Sequence, residues 1–310
     1  MPSTRVQRAR TYIRASAPWR RLMPHRTVRR SVQGVELYMP WAHLLPDYAR
    51  SDPAYGQNLV ELAAALTAHD EPGSVLRMLD VGANIGDSSA QVIARTGAEV
   101  LCVEADPYWV RYLQLNLGDE PRATIVEALL VGERADWEAS APVRARGTTT
   151  FVQDAGRPGA LPSVTIADLR AANPAFENLR LVKSDTDGFD AILVPAIAST
   201  WRDAGPVLFF EWDPALTRRA DARDPDLIWT KLAELGYARL ALWDNGGAPL
   251  GQIDIGDAAA ASRTLALGSR KLGYSFWDVA AWRADDAAAA AAIGQLVPGA
   301  FSVPAAALSG

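Results

Sequence analysis

Met78-Leu79-Asp80-Val81-Gly82-Ala83-Asn84-Ile85-Gly86-Asp87 is the stretch on which the reading of this chain turns. An apolar strand carrying one acid, Asp80, runs into a loop with glycines at 82 and 86 and opens a helix at Asp87. Gly82 and Gly86 remove side chains where the backbone turns and where a ligand has to come close to it. A nicotinamide dinucleotide fingerprint needs glycine where Asn84 stands, and a phosphate-cradling P-loop ends in Gly-Lys-Ser/Thr. The loop satisfies neither pattern.

Around this stretch, short apolar runs alternate with helical ones. Residues 75–81, 100–104, 124–130, 179–184 and 207–211 read as strands with little polar alternation. Residues 87–96, 108–117, 189–201 and 225–235 read as helices between most of them. A preceding helix over 55–69 follows from Leu59, Leu62, Ala63 and Leu66 at helical spacing. Strands of this kind imply a parallel sheet covered on both faces, an α/β three-layer sandwich. Two further runs, 239–243 and 276–282, have no convincing long helix between them and read as an antiparallel pair closing the sheet. The expected sheet therefore has seven strands, mostly parallel, with an antiparallel strand at its C-terminal end.

Composition bounds the class. The chain has 310 residues, 49% apolar and 22% charged, which suits one core of about 230 residues with extensions. No apolar run approaches the roughly 20 residues that cross a bilayer. The single cysteine, Cys102, lies in an apolar strand and reads as core, so no intrachain disulfide is possible and a cytoplasmic location is expected. His25, His43 and His69 all precede the motifs, which argues against a histidine-based triad or zinc site. Residues 1–30 hold nine arginines and no acid, while the whole chain carries −5. Such an arm reads as a solvated tail able to meet nucleic acid, an acidic partner or an anionic surface. Its arginine pairs lack the apolar segment of an export signal. Residues 31–54 form a lead-in segment without clear periodicity, 135–162 an irregular insertion with a β-prone run at 148–152, and the tail from 284 a weak Ala-rich helix with a frayed end.

Two acidic elements accompany the loop. Glu104 ends the second strand, where an acid can accept hydrogen bonds from both hydroxyls of a ribose. Asp106, before Pro107, suits a helix N-cap instead. The fourth strand ends in Lys183-Ser184-Asp185-Thr186-Asp187-Gly188-Phe189-Asp190, a lysine and three acids that packing alone does not explain, since buried charge is costly unless paired or facing a ligand.

Together these pieces resemble the FkbM-type family of S-adenosylmethionine-dependent methyltransferases. The matching parts are the stretch from Asp80 to Asp87, Glu104 with Pro107, Val164-Thr165-Ile166-Ala167-Asp168-Leu169, the run from Lys183 to Asp190, and Phe209-Phe210-Glu211. The family usually has Lys-x-Asp-x-Glu-Gly-x-Glu in the fourth part; this chain keeps Lys183, Asp185 and Gly188 but has Asp187 and Asp190 where Glu is usual. The resemblance spans residues 55–283, which divides the chain into an arginine-rich extension with its lead-in (1–54), a class I methyltransferase domain (55–283) and the Ala-rich tail (284–310).

The resemblance implies a Rossmann-like domain that binds S-adenosyl-L-methionine through Asp80, Gly82, Ala83, Asn84, Gly86, Asp87, Glu104, Ala128 and Asp185, with Ala128 beside the adenine. It implies methyl transfer to a hydroxyl of a sugar, glycan or natural-product small molecule. Asp185 becomes the first candidate to take the proton or hold the acceptor, with Lys183, Asp187 and Glu211 supporting it. The base would be a carboxylate or an unprotonated lysine. Asp185, Asp187 and Glu211 carry the oxygens that hard cations favour, but no spacing demands a metal. Trp212 and Trp243 serve either a sugar face or the core. Transfer to nitrogen, carbon or a protein side chain keeps the same cofactor. A nucleic-acid-binding or nucleic-acid-methylating protein using the basic arm, or an inactive scaffold, are the other readings. The core lacks the Asn/Asp-Pro-Pro-Tyr/Phe tetrapeptide of enzymes that methylate base amino groups, and it is acidic overall.

Overall fold

The computed structural model describes residues 22–132, 161–220, 224–263 and 276–301, with the backbone alone of 140–145 and 148–153. Arg5, Arg8, Arg10, Arg14, Arg20 and Arg21 of the basic arm, most of the insertion at 135–162 and the last nine residues of the tail lie outside the described residues.

The chain opens with a hairpin, β1 (Thr27–Val32) and β2 (Val35–Pro40), followed by α1 (Leu45–Ser51) and α2 (Gln57–His69). Next come β3 (Arg77–Val81), α3 (Asp87–Thr96), β4 (Glu99–Glu104), α4 (Pro107–Leu117), β5 (Ala123–Glu127) and β6 (Leu129–Val131). Strands β7 (Ser140–Ala145) and β8 (Thr148–Gln153) pair with each other, and β9 (Ser163–Thr165) pairs with β6. Then follow α5 (Ile166–Ala172), β10 (Leu181–Ser184), α6 (Asp190–Thr200), β11 (Val207–Trp212), α7 (Pro214–Ala220), α8 (Leu227–Glu234), β12 (Tyr237–Asp244), β13 (Pro249–Asp254), β14 (Trp277–Arg283) and α9 (Ala287–Leu296).

The main sheet has the order β13-β12-β14-β11-β10-β3-β4-β5. Strands β11, β10, β3, β4 and β5 are parallel, and β14 inserts antiparallel between β11 and β12. This is the Rossmann-like, class I methyltransferase architecture that the sequence led us to expect, with one correction. The sheet has eight strands, and both β13 and β14 run against the rest. β13 escapes a sequence reading because Pro249 and Gly251 interrupt its alternation.

Adjacent residues of the central strands face opposite layers, as the pleat requires. Met78, Val100, Leu181 and Phe209 pack beneath α2, α3, α4 and α9. Leu79, Leu101, Val182 and Phe210 pack beneath α5, α6 and α8. A third cluster joins Leu37 and Met39 of β2 to Ile85, Trp109 and Tyr112. Residues 26–40 are thus ordered on the domain: Arg26 lies over Trp41, and Arg29 pairs with Glu36. The tail likewise begins as core, since Ala289, Ala292 and Ile293 of α9 are buried against α2. Asp286 caps α9 and, with Asp70 at the end of α2, holds the Arg180 guanidinium at 2.6–3.2 Å. Among the described residues no helix is long and apolar enough to cross a membrane.

Candidate active site

Open α/β sheets bind ligands outside the carboxyl ends of their strands, where the connections diverge to the two sides. Here that point lies between β3 and β10, and a cavity of about 270 Å³ opens above it. Its walls come from the loops after β3, β4, β5 and β10, from β11 and β14, and from the segments leading into α1 and α2.

The loop after β3 is held by the next strand, because the Gly82 and Ala83 amides donate to the Val103 carbonyl at 3.0 and 3.1 Å. Asn84 takes φ +52°, a left-handed conformation that asparagine tolerates better than most residues. That turn aims its amide at Glu104 Oε2, 2.9 Å away, while the Asp106 amide reaches Oε1 at 2.8 Å. Burial raises Glu104, and these two donors oppose the rise. Its side chain is therefore fixed at the cavity wall with lone pairs left for a ligand. Asp106 is the N-cap of α4, its carboxylate accepting from the Tyr108 amide at 2.9 Å.

Both glycines take the left-handed turns the loop pattern asked for, at φ +74° and φ +81°, and each also makes room for packing. A Cβ at Gly82 would run into the Asp185 carbonyl, so this glycine lets the loops after β3 and β10 cross. A Cβ at Gly86 would stand 2.7 Å from Leu113 Cδ1, and Gly86 does not line the cavity. Gly86 thus lets α4 pack against the loop. Asp80 is likewise not in the wall. It is fully buried below it, accepting from Ser89 Oγ at 2.5 Å and pairing with Lys183 Nζ at 3.1 Å.

Lys183 is the hub beneath the cavity. Its ammonium donates to the Gly82 carbonyl at 3.0 Å and lies 3.8 Å from Asp185 Oδ2. Burial works against its charge, but Asp80 and Asp185 outweigh it and hold the lysine above its ordinary value. Lys183 therefore keeps its proton, which removes it as an unprotonated base. Asp190 is a loop tie: it accepts from Ser184 Oγ at 2.6 Å and faces the Thr186 and Gly188 amides.

Gly82, Ala83, Asn84, Asp87, Glu104, Ala128, Lys183, Asp185, Asp187 and Glu211 all line the cavity. The Asp185 side chain is 53% exposed, at its mouth. Burial pushes Asp87 up to about 6 against the pull of Lys183. Asp187, at φ +51°, rises to about 7 through burial and the neighbouring Asp185, Asp190 and Asp213. Glu211 is pushed well above the usual carboxylate range by burial and by Asp185 and Asp278. Among the described residues no group of three or more His, Cys, Asp or Glu side chains is arranged to hold a metal ion.

Several wall residues come from segments whose function the sequence did not disclose: His43, Tyr48, Tyr55, Asn58 and Asp278. His43 lines the cavity although it precedes the motifs in sequence. Burial lowers its imidazole to about 4, with a side-chain hydrogen bond to Asn84 opposing, so it is neutral near pH 7. Burial, with Asp185 and Asp87 nearby, raises the Tyr55 phenol. Asn58 and Asp278 left a signal, each being a polar residue on an otherwise apolar helix face or strand. Trp212 and Trp243 belong to the core, packed on Trp229 and Phe209. Cys102 is buried and its thiol pushed up to about 12, so it is no nucleophile.

No protein-family model matches the chain, and no curated protein matches it. Solved structures similar to it include precorrin-6y C5,15-methyltransferase from Geobacter metallireducens (12% identity, 72% of this chain and 86% of that one, TM-score 0.37). A second is an S-adenosylmethionine-dependent methyltransferase from Geobacter sulfurreducens in complex with S-adenosyl-L-homocysteine (13%, 73% and 89%, TM-score 0.39). A third is P. horikoshii TYW2 in complex with MeSAdo (12%, 83% and 72%, TM-score 0.41).

Proposed function

We propose that this chain is an S-adenosyl-L-methionine-dependent methyltransferase of the FkbM type that methylates a hydroxyl of a sugar, glycan or natural-product small molecule. The observation that carries the reading is Glu104: a buried carboxylate at the tip of the second strand, both oxygens fixed by backbone amides and its side chain in the cavity wall. That is the placement a ribose requires. Ala83 and Asn84 offer a narrow backbone ledge beside it, and Ala128 leaves room for a flat base. Asp87 and Asp185 supply the negative charge that suits a ligand carrying a sulfonium and an ammonium. When bound, S-adenosyl-L-methionine supplies a methyl group already activated for transfer.

The protein's task is then to exclude water, align an acceptor oxygen and manage one proton. Asp185, at the cavity mouth, holds the acceptor, and Lys183 with Asp80 fixes the loop that carries it. Among the described residues, the wall bears carboxylates and one ammonium, already paired, which favours neutral polyols over phosphorylated chains such as nucleic acid. A cytoplasmic location belongs to the same reading, along with the single buried cysteine. The test is transfer of labelled methyl from S-adenosyl-L-methionine to a panel of monosaccharides, glycosides and hydroxylated small molecules, with the product linkage assigned by NMR. O-linked methyl is the expected product; transfer only to nitrogen or carbon would overturn the hydroxyl assignment.

A further inference from the structure

Asp278 stands on β14, the strand inserted antiparallel beside β11, and its Cα partner across the ladder is Glu211. Both line the cavity that holds Glu104 and Asp185. Residues directly opposite in an antiparallel pair lie on the same face with Cβ atoms about 5 Å apart. One oxygen of Asp278 is already assigned. Asn58, buried on the first turn of α2, accepts the Leu59 amide with its own Oδ1 at 3.0 Å. Its NH₂ group is thereby turned to Asp278 Oδ2, 2.7 Å away. Oδ2 acts as an acceptor there, and among the described residues Oδ1 has no hydrogen-bond partner, which makes it the atom to carry a proton.

Resting on the methyl-transfer reading above, we propose that Asp278, oriented by Asn58, is the general base that takes the proton of the acceptor hydroxyl. As the acceptor oxygen bonds to the methyl carbon, the carbon–sulfur bond breaks with its electron pair going to sulfur, and the hydroxyl proton passes to Asp278 Oδ1. The sulfonium charge is discharged and the carboxylate becomes a neutral acid, so charge and atoms balance.

The surroundings suit the role. Asp278 is pushed up to about 7 by burial, with Asn58 opposing, Asp185 and Asp244 adding to the rise and Lys183 lowering it. Glu211 on the neighbouring strand and Tyr55 also face this group. A base that titrates near the working pH is most effective, because it is ionised often enough to accept and basic enough to hold the proton. Asp185, exposed at the mouth, lacks this seclusion.

The decisive experiment titrates full-length protein carrying ¹³Cγ-labelled aspartate and saturated with S-adenosyl-L-homocysteine. One resonance, absent from Asp278→Asn, is expected to titrate near pH 7. It should move down in Asp244→Asn, which removes a like charge that raises it, and up in Asn58→Ala, which removes a donor to the anion. In the methyl-transfer assay with the hydroxylated panel, Asp278→Asn should lose about 10²- to 10⁴-fold in turnover and keep cofactor affinity within about twofold. The rising limb of the pH–rate profile should follow the NMR titration in Asp244→Asn. An Asp278 resonance that titrates in the ordinary carboxylate range, or full turnover in Asp278→Asn, overturns the proposal while the cofactor reading stands. Failure of the wild type to bind S-adenosyl-L-homocysteine would remove both readings and is seen before any titration.

Discussion

Glu104 and Asp106 stand two residues apart, yet the fold gives them different work. Asp106 spends its carboxylate on the first turn of α4, whereas Glu104 is fixed by two amides and turns toward the cavity. Glu104→Ala is therefore expected to weaken S-adenosyl-L-methionine binding by about 1.5 to 3 kcal/mol, the scale of a hydrogen bond to a charged group. Asp106→Ala should instead cost about 1 kcal/mol of fold stability, the scale of an N-cap, with cofactor affinity unchanged. Calorimetry and thermal unfolding on the two variants check the pair. Equal effects of both on cofactor affinity would dissolve the distinction. Lys183 illustrates the same lesson from the other side: the motif marked it as chemically active, and its neighbours Asp80 and Asp185 keep it a protonated anchor.

At the level of elements, the parallel half of the sheet was legible because its strands are buried on both faces and read as unbroken apolar runs. Glu104 and Lys183-Ser184-Asp185 were legible for a related reason: polar residues at the tip of such a strand need a partner. The hairpin of β1 and β2 was not, since Leu37 and Met39 alternate over only four residues amid Pro, Trp and Tyr. Consequently His43, Tyr48 and Tyr55 entered the wall without warning. Asp278 lies far beyond the motifs in sequence, and the β11–β14 ladder brings it beside Glu211. Helix α9 looked weak because alanine gives little periodic signal, while its small side chains are what let it lie close against α2. Ile293 is fully buried at that contact. Ile293→Ala should destabilise the domain by about 2 to 5 kcal/mol, read from denaturant unfolding; a change within error would return α9 to the status of a frayed tail.

Over the whole molecule, an acid-lined cavity sits in a chain that is itself acidic, so folding and ligand binding share one electrostatic problem. Asp87, Asp187 and Asp278 titrate at about 6, 7 and 7 in the folded chain, against an ordinary value of 3.8. Between those values the folded chain binds more protons than the unfolded one. The stability these groups contribute is complete at acid pH and is lost as pH rises through 6 to 7. The melting temperature of the ligand-free protein should fall from pH 5 to pH 8, and Asp187→Asn should flatten the fall; a rise over that range would refute the charge picture. A cationic cofactor relieves the same repulsion. The central claim is that Glu104 and the loop from Gly82 to Asp87 form a site for S-adenosyl-L-methionine, and its most direct test is calorimetric titration of the full-length protein with that compound and, separately, with NAD. The account predicts one site of micromolar affinity for S-adenosyl-L-methionine and no heat from NAD. A folded protein that binds neither, or only NAD, would contradict it.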